Sequence, residues 1–260
     1  MTQGITSTIT DGVHELRFDR AEAMNTLTLP VVAEFDQALG TAAAKGARAL
    51  LITAAGRNFM AGGDLGYLAR AGDSAPAQAA QLIDALNHAV LKLVALDCPT
   101  VVAVQGAVAG AGLSLMLACD LAIAAQDARF IFAYDRIAAT PDGGLSWTLP
   151  RAVGLRQALA IAMSDTPLDA AQALRIGLVS DVVPTDRLLP EAGARAARLA
   201  RGPGAALAAT RLLMVEGQER SLASQLEHER DSFSERAGTR DFREGVQAFL
   251  ARRKPEFHGR

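Results

Sequence analysis

The chain has 260 residues, is 50% hydrophobic and 21% charged, and carries a formal net charge of -2. A chain of this length builds one main core, and its ordinary charged fraction excludes wholesale disorder. With 26 basic against 28 acidic residues it has no field suited to a phosphate backbone, so nucleic acid is not an expected partner. Two cysteines, Cys98 and Cys119, exclude a disulfide scaffold and fit a reducing compartment, so a cytoplasmic location is expected. The opening MTQGITSTITDGVHE has neither the basic nor the apolar region of an export signal.

The alternating runs ITSTIT and VHELRF flank Asp11-Gly12, which predicts a hairpin. The polar loop DRAEAMNT leads to a helix over Leu29 to Ala44, with Pro30 in its first turn. ALLITAA has strand length, and the glycine-rich loop GRNFMAGGDL follows it. Residues 77–97 read as one helix, with Leu82, Leu86, Val90, Leu93 and Val94 at helical spacing and Pro99 beyond its end. Residues 101–125 are apolar and long enough to span a bilayer, and Gly106 and Gly110 form a G-x-x-x-G. Gln105, Ser114, Asp120 and the grouped glycines instead divide this run into a strand TVVAVQG, a turn, a short helix GLSLMLA and a strand DLAIAA. That is a buried α/β core, so no membrane partner is expected. ARFIFAY reads as a strand, and PDGGLSWTLPRAVG as a turn opening a helix whose Trp147 is expected in the core. LRQALAIAM and LDAAQALRIG read as helices and LVSDVVP as a last short strand; from Asp186 the pattern is helical. The fold class is α/β, strand–helix units followed by a helical tail.

Two turns, Ala61-Gly62-Gly63-Asp64-Leu65 and Ala109-Gly110-Ala111-Gly112-Leu113, each follow an apolar strand and precede a helix start. Small residues let a ligand reach the backbone, and N–H groups at a helix start lack partners. Two such turns face to face would form an oxyanion hole, each donor worth about 2.7–4 kcal/mol in a transition state. The plainer alternative is that the glycines only permit close strand–helix packing. Gly110-Ala111-Gly112 is an incomplete dinucleotide fingerprint, because Leu115 stands where the third glycine belongs. Asp142, in Pro141-Asp142-Gly143-Gly144, either caps the following helix or serves as general base or nucleophile. His14, His88, His228 and His258 form no constellation, and no metal site is expected. Ser114 lacks a G-x-S-x-G context, against a serine hydrolase. Arg195, Arg198, Arg201 and Arg211 read as a solvated helix face.

Five segments in order resemble the crotonase superfamily, the enoyl-CoA hydratase/isomerase family: LRFDRAEAMNTLT, NFMAGGDL, CPTVVAVQGAVAGAGLSLMLACDLAIAAQDARF, TPDGGLSWTLPRAVG and DFREGVQAFLARRKPEF. The resemblance implies a crotonase-like spiral of ββα units over residues 1–200 and a helical C-terminal trimerisation region over 201–260. A homotrimer or a dimer of trimers is implied with it. It implies an acyl-CoA thioester substrate, with coenzyme A as part of the substrate and no further cofactor. The backbone N–H groups of Gly63 and Ala111 would be the oxyanion-hole donors. Ala61, Gly62, Asp64 and Leu65 would line the acyl-CoA channel, Ala23 and Met24 would contact CoA, and Ser114 and Tyr134 would complete the substrate-binding set.

The departures from the family pattern narrow the chemistry. Hydratases of the family orient water with two glutamates, whose positions align with Ser114 and Tyr134 here. A serine and a tyrosine of ordinary pKa cannot replace a carboxylate pair near neutral pH. Asp135 is adjacent, but the period of a strand turns it to the opposite face. Asp142 resembles the catalytic carboxylate of the family's double-bond isomerases, with Tyr134 closing the pocket wall or donating a hydrogen bond. The same position carries the nucleophile of 4-chlorobenzoyl-CoA dehalogenases. Those also need a histidine on the preceding helix, where Asn87 stands, and His88 is rotated away by about 100°. An isomerase is expected; a hydrolase or dehalogenase, a hydratase and a silent acyl-CoA-binding member are the alternatives.

Overall fold

The computed structural model describes residues 4–259. Met1–Gln3 and Arg260, the ends of the two expected domain ranges, lie outside the described residues. The hairpin forms as expected: β1 (Ile5–Thr10) and β2 (Val13–Phe18) pair antiparallel with Thr10 opposite Val13. Asp11 and Gly12 both take positive φ, 50° and 81°, the geometry that matches strand twist in a two-residue turn.

The chain then alternates. Helix α1 (Leu29–Ala44) leads to β3 (Ala49–Ala54), and α2 (Leu65–Arg70) and α3 (Ala75–Val94) lead to β4 (Thr100–Val104). Next come β5 (Ala107–Ala109), α4 (Ala111–Leu117), β6 (Leu121–Ala125) and β7 (Arg129–Ile131). They are followed by α5 (Leu145–Val153), α6 (Leu155–Ala162), β8 (Leu168–Asp169), α7 (Ala170–Arg175) and β9 (Asp181–Val183). The main sheet runs β1-β2-β3-β4-β6-β9, parallel from β2 onward; β5-β7-β8 form a small second sheet.

The central strands read as continuous apolar runs because both faces are covered. Leu50, Ile52, Val102, Val104 and Ala124 face a large core with Leu39, Leu86, Leu93 and Met116 from the helices. Leu51, Val101, Ala103 and Ile123 point the other way, onto Leu188, Ala192 and Ala196 of α8 (Leu188–Ala200). Helices α9 (Gly204–Glu216), α10 (Leu222–Ala237) and α11 (Arg240–Leu250) complete the described chain. Its end is tied back: Arg48 donates to the carbonyls of Gly202 and Phe257, and buried Asp241 accepts the N–H groups of His258 and Gly259, each at 2.8 Å.

Several elements differ from their sequence pattern. The strand expected over ARFIFAY stops at Ile131, because Ala133 adopts φ 68° and turns the chain into a 3-10 helix at Asp135–Ile137. Asp135 is exposed through that turn and not through strand alternation. The helix expected over 77–97 spans Ala75–Val94. LDAAQALRIG begins as a strand, and Asp169 then opens α7 with a capping box to Gln172. Trp147 is not in the core: it is 43% exposed, with the Arg151 guanidinium 3.8 Å from its ring centroid.

Candidate active site

The loops beyond the C-terminal ends of β3 and β4 converge, the place where parallel α/β sheets hold ligands. Three polar side chains fasten them. Asn25, 1% exposed and at φ 54°, accepts the Arg20 N–H and donates to the carbonyls of Ala55 and Asn58. Asn58 accepts the Ala107 N–H, and Gln105 donates to the carbonyls of Ala54 and Gly56. Asn25 was missed as an organising residue; its one sequence signal is an asparagine in a polar loop, a residue that tolerates the left-handed region.

The segment holding Ala23 and Met24 is stitched to the first glycine turn. Ala61 N–H donates to Met24, Leu27 N–H to Gly62 and Asp64 N–H to Leu27. Asp64 caps α2 by accepting the Tyr67 N–H at 3.0 Å, and Leu65 begins that helix half exposed. The second turn is joined to the first through Met60, whose N–H donates to Ala107 and whose carbonyl accepts from Ala109.

The two turns meet at van der Waals contact. A Cβ on Gly62 (φ 93°) would lie 3.4 Å from the Ala109 carbonyl and 3.8 Å from the Ala111 nitrogen. One on Gly110 (φ 53°) would lie 3.7 Å from the Gly62 Cα and 3.9 Å from Tyr134 Cζ. Glycine is favoured at both by the positive φ, while a Cβ would only reach ordinary contact with the facing turn. Neither Gly63 N–H nor Ala111 N–H finds a backbone acceptor among the described residues. Ala111 is the first residue of α4, where an N–H has no partner within the helix. Two such donors on facing turns can hold an anionic oxygen.

Asp142 stands beside this cradle, and it does not cap α5. Gly144 occupies that cap position without a side-chain bond, and the Asp142 carbonyl accepts the N–H of Leu145. The Asp142 carboxylate Oδ1 accepts the Tyr134 hydroxyl at 2.7 Å. Ser114, buried one turn into α4, donates to the Asp142 carbonyl at 2.8 Å. Gly143 lets the chain pass: at φ 55° its Cβ would meet Ser114 Cβ at 2.9 Å and Leu86 Cδ2 at 3.2 Å. Burial pushes the Asp142 carboxyl above its ordinary range, while the Tyr134 hydrogen bond and its own backbone N–H oppose that rise. Burial, then the nearby Asp142 charge, pushes the Tyr134 phenol up, so it stays a donor.

Ser114 and Tyr134, the positions aligned with the hydratase glutamates, thus both contact Asp142. The α3 face toward the site carries Leu82, 4.0 Å from a Cβ at Gly63, and Leu86. Asn87 is exposed, and His88 reaches Asp36 of α1 at 3.5 Å with its side chain 69% exposed. Among the described residues no group of three or more His, Cys, Asp or Glu could hold a metal ion. No helix there is long and apolar enough to cross a membrane. An apolar groove of about 440 Å³, lined by Pro203, Phe242, Val246 and Phe257, belongs to the C-terminal helices and contains none of these site residues.

A family model described as enoyl-CoA hydratase/isomerase matches residues 8–260. The chain belongs to the enoyl-CoA hydratase/isomerase family. Its fold is the crotonase fold: a solved enoyl-CoA hydratase from Polaromonas sp. JS666 superposes with a TM-score of 0.93 at 34% identity, covering 98% of this chain and 99% of that one. A Rhodobacter capsulatus protein named "probable enoyl-CoA hydratase" is 40% identical over 97% of this chain and 96% of its own length. The 1,2-epoxyphenylacetyl-CoA isomerase of Escherichia coli K12 is 34% identical over 100% of both chains. Relatives in this family therefore carry both hydratase and isomerase names at similar distance.

Proposed function

We propose that the chain is an acyl-CoA thioester enzyme that moves a double bond, an enoyl-CoA isomerase with Asp142 as its acid/base. One observation supports this reading: Asp142 brings a half-buried carboxylate beside the second donor turn, and its neighbours are a tyrosine and a serine, while Asp64 is engaged in capping α2. In the proposed reaction Gly63 and Ala111 N–H groups hold the thioester oxygen. The Asp142 carboxylate takes a proton from the α-carbon of a 3-enoyl thioester, and the C–H electron pair moves into a dienolate held by the two donors. The same carboxyl returns the proton to the γ-carbon, giving the 2-enoyl thioester. One base suffices because both proton transfers involve one delocalised anion. Ala23, Met24, Ala61, Gly62, Asp64 and Leu65 line the CoA and acyl path in this reading.

Hydration requires a second carboxylate to handle the water, and Ser114 and Tyr134 supply none. A nucleophilic Asp142 in the dehalogenase manner requires a histidine base, and His88 is turned to Asp36. The assembly we propose is a homotrimer. The C-terminal helices leave the large apolar side chains Leu222, Leu226, Phe233, Phe249 and Leu250 exposed, which fits a surface covered by another subunit. The test is mass spectrometry of 2-enoyl- and 3-enoyl-CoA incubated in deuterated water with wild type and Asp142→Asn. Deuterium gain with a shifted double bond, lost in the variant, supports the reading. Net addition of water, or incorporation of labelled water oxygen into Asp142, overturns it.

A further inference from the structure

We propose that Tyr134 is the positioning residue of the Asp142 carboxylate, tying Oδ1 so that Oδ2 alone carries the proton. The assignment rests on the isomerase reading for its chemistry but on geometry for its substance. The Tyr134 hydroxyl reaches Oδ1 at 2.7 Å, and among the described residues no side chain donates to Oδ2. The tyrosine ring is 6% exposed and fixed edge-on against Phe132, with ring centroids 5.2 Å apart and planes at 65°. The backbone is bent to bring it there: Ala133 sits at φ 68°, a conformation costly for a residue with a Cβ and upheld only where the surroundings enforce it. A plain wall residue would need neither the bend nor a polar tip aimed at the carboxylate.

The groups around Asp142 and the neighbouring Gly143 come from three elements. Helix α4 presents Ser114, which bonds the Asp142 carbonyl and not its carboxylate; α3 presents Leu86; the entry to α5 presents Gly143 and Gly144. Among these groups only Tyr134 titrates, and it stays protonated. A buried carboxyl left alone would favour its neutral form and could not accept a proton. The phenol hydrogen bond favours the ionised form and spends one lone-pair direction of Oδ1. In the reaction, Oδ2–H forms as the α-carbon C–H breaks, and Oδ2–H breaks as the γ-carbon C–H forms. Oδ1 keeps its donor throughout.

The test reads the Asp142 carboxylate directly. Its infrared band is assigned by its loss in Asp142→Asn, and its titration midpoint is followed in wild type and Tyr134→Phe. The midpoint is expected to move to higher pH in Tyr134→Phe. The acid limb of the isomerisation profile should follow it, with kcat falling most at the acid end and KM little changed. The chain has two tyrosines, so 3-fluorotyrosine incorporated into a Tyr67→Phe background labels position 134 without removing the ring. That stronger donor should move the midpoint down, and this arm decides the matter if Tyr134→Phe does not fold. A midpoint unmoved by either change overturns the proposal, even if the wild type isomerises its substrate. A midpoint that moves in a wild type that shifts no double bond sustains the pair and overturns the isomerase reading alone.

Discussion

The oxyanion cradle and the Asp142 pocket are neighbours built from opposite materials. The cradle is backbone: Gly63 and Ala111 offer N–H groups, and glycines at 62 and 110 make room for them. The pocket is side chain: a carboxylate, a phenol and a serine hydroxyl within hydrogen-bond reach of one another or of the Asp142 backbone. Backbone donors do not titrate and tolerate alanine as readily as glycine, so in the proposed reading the cradle would serve any reaction that builds charge on a thioester oxygen. Which reaction follows depends on the pocket. If the proposed roles hold, this division would let one fold carry both hydratase and isomerase names.

The sharpest break of the comparison is Asp142→Asn. It should lower the isomerisation rate by about 10²–10⁴, the usual contribution of a positioned acid/base. CoA-thioester binding, measured by calorimetry, should stay near wild type because the cradle is untouched. Gly62→Ala attacks the other half. Its Cβ would touch the Ala109 carbonyl at 3.4 Å, and φ 93° is strained for any residue with a side chain, so the turn must shift. We expect kcat to fall by about 10²–10³, the loss attached to one oxyanion donor, with an unmoved pH profile. An altered profile would mean that the two halves are not separable. Asn25→Ala removes three bonds that hold the loops, and orphans groups worth about 1–3 kcal/mol each. Denaturant unfolding should show lower stability, and KM should rise more than kcat falls.

Two smaller effects sharpen the contrast. Burial raises the Asp142 carboxyl in the folded state above its unfolded value, so the folded protein disfavours its charge. Below the ordinary carboxylate range both states are protonated and no penalty exists; the penalty grows as pH rises through the two values. Asp142→Asn should therefore melt higher than wild type at neutral pH and equally with it in acid, as scanning calorimetry would reveal. An equal melting temperature at both would contradict the burial argument. His88→Ala, which loses only an exposed contact with Asp36, should change stability by under about 0.5 kcal/mol and leave turnover intact. A large loss of turnover would restore a histidine to the mechanism.

Much of this was legible in residue order where one local force dominates. Asp11-Gly12 specified its hairpin, and Leu29 to Ala44 its helix, because turn chemistry and periodicity are local. The glycine turns were recognisable as ligand-facing because a strand, small residues and a helix start occur in succession. What was not legible depends on contacts remote in sequence. ARFIFAY is apolar enough for a longer strand, and the break at Ala133 accompanies a contact of Tyr134 with a residue eight positions on. Trp147 looked like core by size, yet Arg151 covers one ring face at the surface. Asp142 could be read as a cap or as an acid/base, and the fold leaves the cap position to Gly144 and commits the carboxylate to Tyr134.

That misplaced tryptophan has a practical use. Trp147 is the chain's only indole and lies on α5, the helix that Asp142, Gly143 and Gly144 lead into. Arg151 is stacked on it and anchored to Glu219, beyond α9, at 3.0 Å. Its ultraviolet emission thus comes from a single known place, beside one cation, on the helix that follows the proposed acid/base Asp142. The protein contains its own optical probe, and a stopped-flow trace of that emission would time the arrival of a thioester without any attached dye.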